Sequence, residues 1–389
     1  MITVILALSF ASVMAAADPL DVAAGKAVFE RQWVSAPSTT HSDEGLGPFY
    51  DARSCSACHA GGGAGQLSNT IGTGLLVRLG RHDGTADPVY GAQLQTKSLP
   101  GLSPEAAVSI GWTVIDGHRI PSLHISDLGY GALAPQTYAA IRRAPSLRGA
   151  AELESVSDDA ILAGETREHR QGMSGHAQIF PDLAGRRLGR WGWKATAVDL
   201  PSQVALALER DIGLSTSDHP DPWGECTPAE SGCREMALRN ADARIEVPDA
   251  VRDLIVAYVS SLPAPAPLDE TSRGAAVFRQ IGCDGCHAVL IQPDGRPVNA
   301  LTDLLLHDMG PELDDGIAEG EAKSSEWRTA PLWNLADELA GGGLLHDGRA
   351  RSIGEAVHWH GGEASHTRKR FEALSAADQA AIENYLLEK

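Results

Sequence analysis

The chain is short of positive charge, of aromatic rings and of cysteine. Its 389 residues carry 32 Lys and Arg against 51 Asp and Glu, a formal net charge of −19 at pH 7. That balance excludes nucleic acid as a natural partner, because phosphate binding needs clustered cations. It suits a cationic partner or plain solubility. Aromatic residues make up 5% of the chain, yet 8 of them are Trp. Six cysteines are too few for a disulfide-stapled scaffold of this length. Long apolar runs are scarce too: the longest covers residues 2–17, shorter than the ~20 residues that cross a bilayer. No membrane span is expected. Period-two alternation of convincing length is also lacking, which points to a mainly α fold with long loops.

The apolar run has a use of its own. It ends in Ala15-Ala16-Ala17 before Asp18, a small-residue cleavage site, so residues 1–17 read as a signal peptide and the mature protein as periplasmic. Only the amino terminus supplies positive charge ahead of the run. Export places the cysteines in an oxidising compartment. Cys226 and Cys233 flank a Gly-, Pro- and Ser-containing stretch and are expected to form one surface-loop disulfide. A reactive thiol pair would want a C-x-x-C spacing or a nearby cation.

The other four cysteines lie in Cys55-Ser-Ala-Cys58-His59 and Cys283-Asp-Gly-Cys286-His287. Both are C-x-x-C-H, the attachment signature of c-type haem. Two thiols add across the two vinyl groups of one porphyrin, and the adjacent imidazole ligates the iron. Zinc fits poorly, since the pairs are far apart, each carries its own His and neither has a fourth ligand in the usual window. Gly25-Lys-Ala-Val28-Phe29 and Gly274-Ala-Ala-Val277-Phe278 open helical segments ahead of the two motifs. The chain therefore reads as a signal peptide, a haem domain over 18–262, a Pro-rich linker over 263–267 and a second haem domain over 268–389. An amphipathic helix over 244–260 leads into the linker, and another over 375–387 begins at Ser375 as N-cap.

Beyond the motifs, the sequence resembles the bacterial di-haem oxidoreductases, relatives of the di-haem cytochrome c peroxidases. The likeness rests on Gly45-Leu-Gly-Pro48 before Ala52-Arg-Ser-Cys55, and on Gly189-Arg-Trp-Gly-Trp193-Lys-Ala195. In the second half it rests on Leu304–Gly310, Trp327–Trp333, and Leu345-His-Asp-Gly-Arg-Ala-Arg351 running to Trp359-His-Gly-Gly-Glu363. Gly172–His176 and the Glu152–Glu154 region approximate the family pattern loosely. The resemblance implies two cytochrome c-like haem domains and peroxide as substrate.

It also implies site residues. In the relatives, the high-potential haem takes its distal ligand fourteen residues after the His of a His-Asp-Gly segment. Counted from His346, that position is His360, so the second iron is expected between His287 and His360. Met309 and His307 are the competing ligands. Ser352, as cap of a short helix, would hold His360 in place. The first haem has His59 and no good second ligand, since His82 lies in a Gly- and Asp-rich turn. An open iron is where peroxide could bind, with Glu154 (or Glu152) as the proton-moving carboxylate. Arg143 or Arg142 would anchor a propionate or peroxide, and Trp193 would bridge the haems. His118, His124, His169 and His176 read as surface histidines. A calcium ion between the domains is allowed by the same likeness.

The expected activity is reduction of hydrogen peroxide at the first haem, with electrons relayed from the second and supplied by a small cytochrome c or cupredoxin. The alternatives are a di-haem electron carrier without a substrate, and an oxidase that modifies a partner protein. Reoxidation by peroxide separates the first two.

Overall fold

The computed structural model describes residues 18–165, 173–182, 185–240 and 245–387. The signal-peptide segment, His169 and Gly172 lie outside the described residues. No helix among those described is long and apolar enough to cross a membrane.

The two halves repeat one device. Asp18 caps the helix Pro19–Glu30, accepting from the Leu20 amide, with Pro19 at the first helical position, where a missing N–H costs nothing. This helix crosses the helix Asp249–Ser261 at Gly25, where a Cβ would sit 1.9 Å from the Leu254 carbonyl oxygen. Phe29 and Tyr258 close the crossing, ring centres 5.0 Å apart. In the second half Ser272 caps the helix Arg273–Ile281 through the Ala275 amide. Its Gly274 meets the helix Ala376–Leu387 so closely that a Cβ would lie 2.1 Å from the Ala381 carbonyl oxygen, and Phe278 packs on Tyr385 at 5.8 Å. The Gly-x-x-Val-Phe segments are therefore contact faces, with glycine at the point where two backbones touch.

The capping expectations for Ser352 and Ser375 are met: each hydroxyl accepts a backbone amide, from Glu355 and Asp378 respectively. The helix expected from Arg244 begins instead at Asp249, because Pro248 holds extended backbone and takes the cap position. Residues 263–269 carry no regular structure. The helices before and after them join different apolar cores. The first core also takes in Leu290, Val298, Ala300, Leu304 and Leu305 from the second half, while Trp193 and Ile120 pack against the second core.

A mainly α, cytochrome c-like fold is not what forms. The structure is 33% helical and 18% strand, with several small sheets. One sheet orders Gln93–Leu94, Leu75–Gly80 and Tyr138–Arg143. A long antiparallel hairpin pairs Ala107–Ile115 with His118–Ser126 in register Ile110↔Leu123 and Ile115↔His118. Its turn is Asp116-Gly117, both at positive φ, the two-residue connection whose twist matches paired strands. The strand signal was present: Val108, Ile110, Trp112 and Val114 alternate with small or polar residues and end on Asp-Gly. Gly111 and Pro121 interrupt the two runs, and much of the ribbon is solvent-facing, which blurs a pattern that depends on one buried face.

Candidate functional site

Cys55–Cys58 forms a single helical turn, and His59 follows with its amide on the Cys55 carbonyl, 2.9 Å away. The entry is pinned by Arg53 and Trp33, which exchange bonds of 2.8 and 2.9 Å through the Arg53 side chain and the two backbones. Neither thiol is in a disulfide. Burial, helped by the charge of Asp211, pushes both up to about 12. Burial pushes the His59 imidazole down to about 4, keeping it neutral as a metal ligand must be. Gly61 and Gly62 turn the chain at positive φ, and a Cβ on Gly62 would strike Leu262. The expected disulfide is present between Cys226 and Cys233.

The second motif follows Gly282, whose positive φ ends the preceding helix. His287 directs Nδ1 at the Leu301 carbonyl, 3.0 Å away. Facing it is His360, whose Nδ1 lies 2.6 Å from the Ala356 carbonyl within the capped helix Ile353–His358. Each ring donates from Nδ1 and so keeps the Nε2 lone pair free. An imidazole nitrogen sits about 2 Å from the metal it ligates, so two rings on opposite faces of one ion have centres roughly 6 Å apart. The observed separation is 6.4 Å. Burial depresses both, His287 to about 4. A cavity of about 210 Å³ opens beside His287, lined by Phe278, Leu301 and Tyr385 among others. The donor set and its protonation fit covalent haem at both motifs.

The competing ligands sit differently. His307 has both ring nitrogens engaged, Nδ1 with Glu363 and Nε2 with Asp303, each at 2.9 Å. These carboxylates and Cys286 outweigh burial and push it up to about 12, which leaves no lone pair for a metal. Met309 packs against the second core, its carbonyl close to Gly361. Cys286, Asp303 and His307 form the group of three ligand-type side chains at metal spacing among the described residues. It is not the all-oxygen set that calcium takes.

Trp193 packs, partly buried, against the second core. Its indole N–H donates to the Arg143 carbonyl at 2.8 Å, and its ring stands edge-on to His346 at 6.4 Å. His346 in turn stacks on Trp327, 3.8 Å between centres and 8° from parallel. Trp193 lines a cavity of about 120 Å³ together with Arg78, Gln93, Arg142, Gln203, Arg210, Asp211 and Glu319. None of Cys55, Cys58 and His59 lines this cavity, but the Asp211 backbone carbonyl accepts the Asp51 and Ala52 amides just ahead of the first motif.

Arg142 lines the cavity; Arg143 does not. The Arg143 guanidinium is buried and committed to the Gly65 and Gly343 carbonyls and to Glu338, tying strand Tyr138–Arg143 to the Glu338–Gly343 segment. Glu154 also lies off the cavity lining. Its carboxylate accepts from the Trp191 indole at 2.8 Å and the Leu200 amide at 3.0 Å, while Glu152 is exposed. The carboxylates at the cavity are Asp211 and Glu319. Asp211 is pushed up by burial against the pull of Gln93, Arg78 and Arg210, and Gln93 donates to it at 2.9 Å. Gln203 presents a buried side-chain oxygen without a hydrogen-bond partner.

Sequence reasoning passed over Arg210, Asp211 and Gln203. Helix Leu200–Ala207 continues into a wider π turn at Leu208–Ile212, a distortion common at functional sites. Charged Arg210-Asp211 inside the apolar run Leu206–Leu214 was the signal available. His176 reaches Glu326 at 3.2 Å, and His82 reaches Ser324 at 3.0 Å; neither faces a motif histidine. His118 is not a free surface residue: it stacks on His358 at 3.8 Å.

Residues 136–388 match the family described as di-haem oxidoreductase, putative peroxidase. No curated protein matches the chain.

Proposed function

This chain belongs to the di-haem oxidoreductase family, and from that footing we propose that it reduces hydrogen peroxide to water at the cavity beside Cys55-Ser-Ala-Cys58-His59. The haems are attached covalently at the two C-x-x-C-H motifs after export to the periplasm. They supply the redox chemistry, passing two electrons to each peroxide, which with two protons gives two waters.

The observation that carries this reading is the composition of the cavity. Asp211 is a half-buried carboxylate held by Gln93 beside three arginines. A carboxyl whose pKa is raised by desolvation can take a proton from one peroxide oxygen and return it to the other. Arg78, Arg142 and Arg210 offer positive charge to a propionate or to the developing oxyanion. Gln203 offers an amide oxygen that no protein group engages. Trp193, between this cavity and His346, is the path for electrons from the second haem, whose ligands are His287 and His360. The donor is a small basic redox protein, a cytochrome c or cupredoxin, drawn to the net charge of −19.

Stopped-flow mixing of peroxide with reduced holoprotein tests the reading. Rapid reoxidation at two electrons per peroxide is expected. A reduced protein that peroxide leaves unchanged would mean an electron carrier instead.

A further inference from the structure

The hairpin Ala107–Ser126 lies outside the residues that match the family, yet its tip reaches the segment that carries His360. Arg119, the second residue of its returning strand, donates to three backbone carbonyls: Gly342 and Gly348 at 2.5 Å through Nη2, and Arg349 at 3.0 Å through Nε. Gly348 and Arg349 belong to a tight loop whose base is closed by Leu344 and Ala350, and Gly342 lies just before it. Gly343 packs so closely there that a Cβ would lie 2.1 Å from the Gly348 oxygen and 2.8 Å from Arg119. The next residues along are Ser352, the helix Ile353–His358, and His360.

Two further contacts bring the hairpin within two residues of that ligand. His118 stacks on His358, 3.8 Å between centres and 10° from parallel, and stands edge-on to Trp359 at 6.0 Å. Arg351 reaches back to the Gly117 carbonyl at 3.4 Å. The local tethers of His360 are a six-residue helix, the Nδ1 bond to the Ala356 carbonyl and the amide bond to the Val357 carbonyl. A helix that short is not stable by itself, so its position must be imposed from outside. One guanidinium bonding three carbonyls does this with fixed geometry, because Arg presents a planar fork that Lys lacks.

We propose that the hairpin is a positioning element for His360, with Arg119 as the positioning residue and His118 as its second contact. The inference rests on the reading that His287 and His360 ligate the second haem. Arg119 touches no reacting atom; it sets how firmly the loop and helix hold the imidazole opposite His287. With the fork removed, the Gly342, Gly348 and Arg349 carbonyls lose a charge-assisted donor and the His360 segment acquires freedom to withdraw.

The test uses purified holoprotein and three variants, Arg119→Ala, Arg119→Lys and His118→Ala. The readouts are the ferric low-spin signal of the second haem, its midpoint potential and its affinity for added azide. In the parent, a low-spin bis-imidazole signal lost in His360→Ala establishes the ligand pair; its absence there refutes the underlying reading and the proposal with it. Given that signal, Arg119→Ala is expected to show a high-spin fraction and azide affinity raised by about tenfold, the scale of losing a charged hydrogen-bond donor. Arg119→Lys should restore only part of the low-spin signal, because an ammonium cannot span the three carbonyls. An Arg119→Ala holoprotein with parental spin state, potential and azide affinity overturns the proposal. If that variant does not accumulate, His118→Ala decides: a smaller shift in the same direction supports the role, and unchanged readouts refute it.

Discussion

His287 and His360 face one another with ring centres 6.4 Å apart, each tied through Nδ1 to a backbone carbonyl. That spacing matches what one metal ion held by both rings through Nε2 would require. Replacing His360 with Ala should convert the second haem from low to high spin, read in the ferric electron paramagnetic resonance spectrum. Met309→Leu should leave the spectrum unchanged. A low-spin signal lost in the Met309 variant and kept in the His360 variant would overturn the pairing.

The two candidate carboxylates of the first half should behave oppositely. Asp211→Asn removes the half-buried acid at the cavity, and peroxide turnover is expected to fall on the order of a hundredfold, the usual contribution of a positioned acid–base group. Glu154→Ala leaves the Trp191 indole and the Leu200 amide unpaired. It should cost about 1–3 kcal/mol of stability and change turnover by no more than about twofold, as befits an acid away from the reacting atoms. Steady-state kinetics paired with chemical denaturation separates the two roles.

Trp193→Phe keeps an aromatic ring but removes the donor to the Arg143 carbonyl, and it replaces the indole beside His346. Electron transfer between the haems should slow while haem content and spin state stay unchanged. Flash reduction of the second haem, followed at the first, measures the step; an undiminished rate would rule the indole out as the path.

Gly25 and Gly274 predict a structural pair of effects. A methyl at either position would overlap a carbonyl oxygen, at 1.9 Å from Leu254 and 2.1 Å from Ala381. Forcing helices apart at a packed crossing costs about 1–3 kcal/mol. Gly25→Ala and Gly274→Ala should each lower the midpoint of denaturation, whereas Gly295→Ala, with open space at Cβ, should do so only through its positive φ.

Stability should also depend on pH through Glu105 and Glu230. Both are buried, each accepts one backbone amide, from Gln95 and Thr227, and each has a remaining oxygen with no donor. Burial, then the neighbouring carboxylate, raises Glu105 well above its ordinary 4.5, and burial raises Glu230. A carboxyl whose pKa is raised by folding binds its proton more tightly in the folded state. Its contribution is therefore complete below about 4.5 and is lost as pH rises through the folded-state pKa. Glu105→Gln supplies an amide donor that needs no proton. Its melting temperature should decline less than the parent's above pH 4.5; parallel curves would refute Glu105 as the source of the pH dependence.

The capping of helices by Ser352 and Ser375, the pairing of Cys226 with Cys233, and the helical Gly-x-x-Val-Phe segments were legible because each is set by residues a few positions apart. The hairpin escaped notice although Asp116-Gly117 announces it, since Gly111 and Pro121 break the alternation and neither strand has a fully buried face.

What the sequence by itself determined is the local covalent chemistry: two C-x-x-C-H motifs whose thiols and imidazole fall on one turn wherever that turn is placed. Only the tertiary structure decided which groups meet those turns. It turned Glu154 toward Trp191, brought Gln203 to the cavity on a helix and Asp211 on the π turn that follows it, committed Arg143 to the chain's own carbonyls, and set Arg119 across from Gly342, Gly348 and Arg349. A cavity's lining is drawn from segments remote in sequence, and its members are selected by how whole elements pack, a property that no short window of residues contains.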